Sequence, residues 1–275
     1  MRVSLAFLPA ICVFVWCFFS CGGTPESEAP SLTYQAPTEA LFDSLFQAHD
    51  AVGSFLLQDV KGDTTYVYNE ARAQTPYLPA STFKVPNTLI ALELGVADTN
   101  EVFPWDGRER FAEQWNQDLN LAQAFRYSAF WVYQIIAERI GEENYREWLQ
   151  KIDYGNAEPG PDVTTFWVAG DIRISAYEQL NFLRRLENGS LAFGEANQKL
   201  FRDIFSFEKT DQYDWKAKTG WTTIPDPDTG WVIGWVERGE DRYLYVLNLD
   251  IENNAHGRAR VEIARAVFQS MGIID

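Results

Sequence analysis

Residues 215–250 read WKAKTGWTTIPDPDTGWVIGWVERGEDRYLYVLNLD. Three runs in this stretch, Trp215 to Thr219, Gly230 to Glu237 and Arg242 to Asp250, are aromatic and β-branched, with turn residues between them. They predict three strands. A helical pattern from about Arg258 to Met271 follows and closes the chain. Toward the N-terminus, Val52 to Val60 and Thr64 to Tyr68 flank Lys61-Gly62-Asp63, which is a hairpin signature. Before it, Leu41, Phe42, Leu45, Phe46 and His49 recur at helical spacing. The middle of the chain reads as helices: Ser81 to Leu94 ending at Gly95, Ala124 to Ile140 stopped by Gly141, and Glu143 to Lys151. Ser175 and Glu178 form a capping box that opens a further helix, which stops near Asn188-Gly189. Strands near both ends with helices between them predict an α+β fold: one sheet built from both chain ends, with a helical region inserted in the middle.

The composition narrows the chemistry. The chain has 275 residues, 46% hydrophobic and 23% charged, enough to bury a substantial core without disulfide or metal staples. Lys and Arg total 23 against 39 Asp and Glu, for a net charge of −16, which opposes binding to nucleic acid or an anionic membrane surface. Only two histidines occur, His49 and His256, so a poly-histidine metal centre is disfavoured and no metal is expected. A Ser-His-Asp enzyme would have to use one of those two.

All three cysteines, Cys12, Cys17 and Cys21, lie in the first 21 residues, and none remains for a disulfide framework in the body. An apolar run from Leu5 to Phe19 leads into Ser20-Cys21-Gly22-Gly23, which reads as an export signal over residues 1–21. A single spanning helix is the competing reading. The small residue before Cys21 resembles a bacterial lipoprotein processing site, whereas Phe18 and Phe19 fit that pattern poorly. Residues 22–37 are a tether rich in Gly, Pro, Ser, Thr and Glu, and 38–275 form the folded domain. The expected location is the periplasm, with lipidated Cys21 as a membrane tether or with the domain free.

With histidine scarce, a hydrolase needs another base, and Ser81-Thr82-Phe83-Lys84 offers one. Three residues apart at a helix start, the hydroxyl and the amine share a face. A lysine held among apolar neighbours loses its proton more readily and can serve as a base. On its own the pair also reads as a helix cap with a snorkelling lysine, and Ser206-Phe207-Glu208-Lys209 repeats the spacing before a polar loop with nothing to desolvate its lysine. Two further elements change the weighting. Lys218-Thr219-Gly220 ends a predicted strand, where a small residue lets a substrate backbone lie alongside and the lysine supplies positive charge. Ser128-Ala129-Phe130 sits near the start of the second buried helix, where a hydroxyl can join the same cleft.

The set, in this order, resembles the penicillin-recognising serine enzymes, and within them the class D (oxacillinase-type) β-lactamases. The resemblance runs from about residue 38 to the end. It also rests on Trp115-Asn116 with Asp118, Asn120 and Leu121, on Tyr154-Gly155-Asn156, on Phe166-Trp167, and on Gly230-Trp231-Val232-Ile233-Gly234-Trp235-Val236. It implies an α/β sandwich with an antiparallel sheet between helices, an all-helical lobe, and Ser81 between them. Ser81 would be the nucleophile. Lys84 would be carboxylated by carbon dioxide to N6-carboxylysine, the general base, with Trp167 donating to the carbamate. Ser128 would relay protons, and the backbone N–H groups of Ser81 and Trp221 would form the oxyanion hole. Lys218, Thr219, Gly220 and Arg260 would meet the carboxylate side of a β-lactam, and Trp105 would wall the cleft. Phe130 departs from the family pattern, which usually has Val there, and puts deacylation and substrate range in question. A penicillin-binding sensor or a D,D-peptidase would use the same serine chemistry. The single apolar segment and the absence of a zinc motif weigh against the first, and Tyr154-Gly155-Asn156 with Phe166-Trp167 against the second.

Overall fold

The computed structural model describes residues 34–224 and 226–275. The expected export signal 1–21, with Cys21, and most of the 22–37 tether lie outside the described residues. Helix α1 (Glu39–Ala48) is opened by Thr38, whose Oγ1 accepts from the Leu41 N–H at 3.2 Å, and it turns Phe42 and Phe46 inward. The hairpin follows as β1 (Gly53–Asp59) and β2 (Thr64–Tyr68), then the short α2 (Glu70–Gln74). A tight 3-10 turn at Ala80–Phe83 runs into α3 (Lys84–Glu93), and β3 (Val102–Phe103) pairs with β4 (Leu119–Asn120). The helical part continues through α4 (Leu121–Arg126), α5 (Phe130–Lys151), α6 (Phe166–Ala169), α7 (Ala176–Glu187) and α8 (Glu195–Ile204). The chain then returns to the sheet as β5 (Ser206–Lys209), β6 (Asp214–Thr222), β7 (Asp228–Arg238) and β8 (Asp241–Ile251), and ends in α9 (Asn254–Met271).

Among the described residues, six strands form one antiparallel sheet in the order β2-β1-β8-β7-β6-β5. The N-terminal hairpin therefore docks on the last strand, as the pattern at the two chain ends predicts. Side-chain alternation divides the core in two. Leu56, Trp231, Ile233, Trp235, Leu244 and Val246 face the middle helices. Phe55, Leu57, Val232, Val236, Tyr245 and Leu247 face α1 and α9. Both faces are covered, which is why β7 and β8 read as nearly continuous apolar runs.

Several boundaries differ from the sequence reading. The Ala124–Ile140 run is broken by Tyr127-Ser128-Ala129, where Ser128 takes φ 55°, a left-handed conformation that a residue scan does not reveal. The expected stop at Gly141 is present as a break inside α5, with φ 75°. Ser206–Lys209, to which the sequence reading gave no element, is an edge strand, and Lys209 pairs with Asp214 at 3.2 Å. Helix α9 begins earlier than Arg258 because the Asn253 side chain accepts from the Ala255 N–H at 2.8 Å and caps it there. The Ser175–Glu178 capping box forms as predicted. No helix among the described residues is long and apolar enough to cross a membrane.

Candidate active site

Ser81 sits in the 3-10 turn rather than capping a helix, and its Oγ accepts a hydrogen bond from Lys84 Nζ at 3.0 Å. The turn is held from three sides. Trp231 Nε1 donates to the Leu78 carbonyl at 2.9 Å just upstream. Thr82 Oγ1 donates to the Pro79 carbonyl at 2.6 Å and accepts from Gln179 Nε2 of α7 at 2.9 Å. The Phe83 ring is packed against Tyr145, Tyr154, Phe166 and Trp167. The residue before the serine, Ala80, is forced to φ 50°. Two non-glycine residues in left-handed geometry, Ala80 and Ser128, thus flank the cleft, and strain of this kind persists only where the surroundings over-determine it.

Lys84 is 1% exposed, and burial pushes its amine down to about 7. Its Nζ lies 4.9 Å from the centre of the Tyr133 ring and 5.9 Å from that of Phe130. Across the cleft a second pair repeats the arrangement. Lys218 Nζ donates to Ser128 Oγ and, at 3.0 Å, to the Thr219 carbonyl. Burial, reinforced by the charges of Lys84 and Arg260, holds the Lys218 amine well below its ordinary value. Arg260 donates from NH1 to the Gly220 carbonyl and from Nε to the Gly257 carbonyl at 2.8 Å, and burial lowers it to about 10, so it stays cationic at neutral pH. An overall acidic protein thus presents a buried cation, Arg260, to this cleft.

The sheet supplies the opposite wall. Strand β5 pairs with β6 only as far as Lys216, so from Ala217 onward that edge of β6 has no strand neighbour. Gly220 lets this edge close on the nucleophile turn: a Cβ there would lie 3.0 Å from the Pro79 carbonyl oxygen and 3.2 Å from Thr82 Cγ2. Gly257 does the same for α9, since a Cβ would lie 2.8 Å from the Trp221 ring. The cleft that results, about 480 Å³, is lined by Ser81, Ser128, Phe130, Thr219, Gly220, Trp221 and Arg260, together with Phe111, Trp115, Val168 and Thr223.

Trp105 is not among these side chains. Its Nε1 donates to the Arg108 carbonyl at 2.9 Å and its backbone N–H to Asp118 at 2.8 Å, which ties it into its own loop. Phe111, 92% exposed, and Trp115 form the wall instead. An apolar side chain alone in a charged run, as Phe111 is, was the available signal for it. Val168 adjoins Trp167, which the sequence did single out, and no pattern marks Val168 or Thr223 further. Trp167 is fully buried beside Phe130 and stacked on Phe83, and its Nε1 has no hydrogen-bond partner. Such a donor is costly unless something accepts from it. No group of three metal-ligating side chains occurs among the described residues.

A profile of the penicillin binding protein transpeptidase domain matches residues 51–269. The chain is 41% identical over 233 residues to beta-lactamase OXA-20 of Pseudomonas aeruginosa, covering 83% of this chain and 86% of that protein. It is 35% identical to the crystal structure of FUS-1 (OXA-85), a class D beta-lactamase from Fusobacterium nucleatum subsp. polymorphum, with a TM-score of 0.84 over 87% of this chain and 100% of that one. The chain belongs to the class D serine β-lactamases. Beta-lactamase OXA-48 of Klebsiella pneumoniae is also similar, at 37% identity over 246 residues, which is 89% of this chain and 93% of that protein. Two residues from the groups that carried the resemblance, Asn156 and Asn116, are not among the side chains that line the class D cleft. Asn156 accepts from the Arg173 N–H at 3.0 Å and donates to the Asp171 carbonyl at 2.8 Å. Asn116 accepts from the Arg110 N–H at 2.8 Å. They shape the loops that frame this β-lactamase site.

Proposed function

We propose that the protein hydrolyses penicillin-type β-lactams through a Ser81 acyl-enzyme and so confers resistance to them. The reading is carried by the two serine–lysine pairs, Ser81 with Lys84 and Ser128 with Lys218, facing one cleft that also holds Arg260. Lys84, with its amine lowered by burial to about 7, takes the Ser81 proton in its neutral form as the hydroxyl attacks the ring carbonyl. The backbone N–H groups of Ser81 and Trp221 receive the developing oxyanion. Ser128, held by Lys218, passes a proton to the departing ring nitrogen, and Arg260 with Thr219 binds the carboxylate.

The buried Trp167 N–H without a partner fits a carbamate on Lys84, because carbon dioxide adds only to the neutral amine and leaves an anion that needs a donor. When bound, that group supplies the base for hydrolysis of the acyl-enzyme. Phe130, beside both Lys84 and Trp167, restricts the space through which the hydrolytic water enters. The protein is further proposed to be exported to the periplasm, with Cys21 as the lipid attachment; a Cys21→Ser variant that stays in the membrane fraction would refute the tether.

Time-resolved intact mass with excess benzylpenicillin tests the enzyme reading. One adduct is expected to appear and then vanish as drug is consumed, and Ser81→Ala should form none, a loss of at least about 10³-fold. Lys84→Ala should acylate slowly and stay trapped. A persistent adduct in the wild type would mean a penicillin-binding sensor or slow D,D-peptidase, and Phe130→Val turnover would then show whether that ring blocks water.

A further inference from the structure

Thr222, at the end of β6, is buried and makes no side-chain hydrogen bond to Ser81 or Lys84. Its Oγ1 donates to the Val168 carbonyl at 2.6 Å and accepts from the Ile224 N–H at 3.4 Å. Val168 follows Trp167 on α6, a single turn of four residues with no side-chain cap at its start. In the loop before α6, the Asp162 carboxylate accepts from the Thr164 and Thr165 hydroxyls at 2.7 Å each, and the only side-chain bonds from other helices reach Asp153, from Arg185 of α7, and Glu158, from Arg146 of α5, among the described residues. Aromatic packing of Phe166 and Trp167 against Phe83 sets the planes of the rings. Ring faces in contact still slide along one another at little cost, because dispersion is weakly directional. A short hydroxyl–carbonyl bond does not. Among the described residues, Thr222 makes the one side-chain hydrogen bond that joins α6 to the sheet.

We propose that Thr222 is a positioning residue: by pinning Val168 to β6 it holds the Trp167 indole N–H toward Lys84 and thereby sets the affinity of that amine for carbon dioxide. This rests on the carbamate reading given above. Strand β6 also carries Lys218, Thr219 and Gly220, so the same bond keeps the base side and the carboxylate side of the cleft in register. Without the hydroxyl, the Val168 carbonyl loses its partner and α6 is free to shift by the fraction of an ångström that a charged hydrogen bond notices.

The test is carbon-13 NMR of the full chain titrated with labelled bicarbonate, read as growth of the carbamate resonance. Thr222→Val removes the hydroxyl and keeps the shape, Thr222→Ser keeps the hydroxyl, and Thr222→Ala removes it without crowding. Circular dichroism establishes which variants are folded. The bicarbonate concentration that half-fills the carbamate is expected to rise on the order of tenfold in the Val and Ala variants. Thr222→Ser is expected to stay near the wild type. Equal half-filling in the wild type, Val and Ala proteins overturns the role of Thr222 and leaves the carbamate reading intact. A wild type with no carbamate resonance at any bicarbonate concentration overturns both.

Discussion

With its amine pushed down to about 7 by burial, Lys84 carries a stability cost that depends on pH. Below about 7 the amine is protonated in both the folded and the unfolded chain, and the fold bears the full cost of burying a cation. Between about 7 and the ordinary value of 10.5 the unfolded chain still binds the proton while the folded one has released it, so stability rises with pH across that window. Lys84→Met, which fills the same volume without charge, is therefore expected to raise Tm at pH ~6 in carbon dioxide-depleted buffer by roughly 5 °C or more. The gain should shrink toward pH ~10. A gain that is flat with pH would mean the substitution acts through packing alone. The sequence made Lys84 readable because Phe83 and Val85 flank it with apolar surface. It did not reveal the left-handed Ala80 and Ser128, since neither residue type marks that geometry and only the packed neighbours impose it.

Strands were more legible than short helices. β7 and β8 announce themselves by β-branched and aromatic density, whereas α8 is short and polar between its apolar positions, although Ala196, Leu200 and Ile204 recur at helical spacing. The four residues of α6 are too few to carry any period, and there the family resemblance, not periodicity, drew attention to Trp167. At this scale the contact between β6 and the nucleophile turn is the part most sensitive to a small change. Gly220→Ala places a methyl group 3.0 Å from the Pro79 carbonyl oxygen, so the strand or the turn must give by a few tenths of an ångström. Acylation by benzylpenicillin, followed by stopped-flow mass analysis, is expected to slow by about tenfold or more while Tm changes little. An unchanged rate would show that the turn can yield.

Over the whole molecule, the net charge of −16 repels an anionic drug at long range while Arg260 attracts it at the site. Screening acts mainly on the first of these, because the Arg260 cation is buried. The value of kcat/KM for a penicillin is therefore expected to rise by roughly twofold between about 10 mM and about 150 mM salt. A fall would mean that the cleft governs capture even from a distance. The sheet, finally, is closed by strands from opposite ends of the chain, with β1 lying against β8 and the Gln35 N–H donating to the Met271 carbonyl at 3.3 Å. Such long-range pairing must wait for the late strands. Ser81 and Lys84 are synthesised early, yet the edge that orients a substrate over them, and the arginine that anchors it, arrive only with the final segments. A growing chain is thus chemically silent: its reactive serine has no target to meet until the last helix has been made and has folded back beside the first.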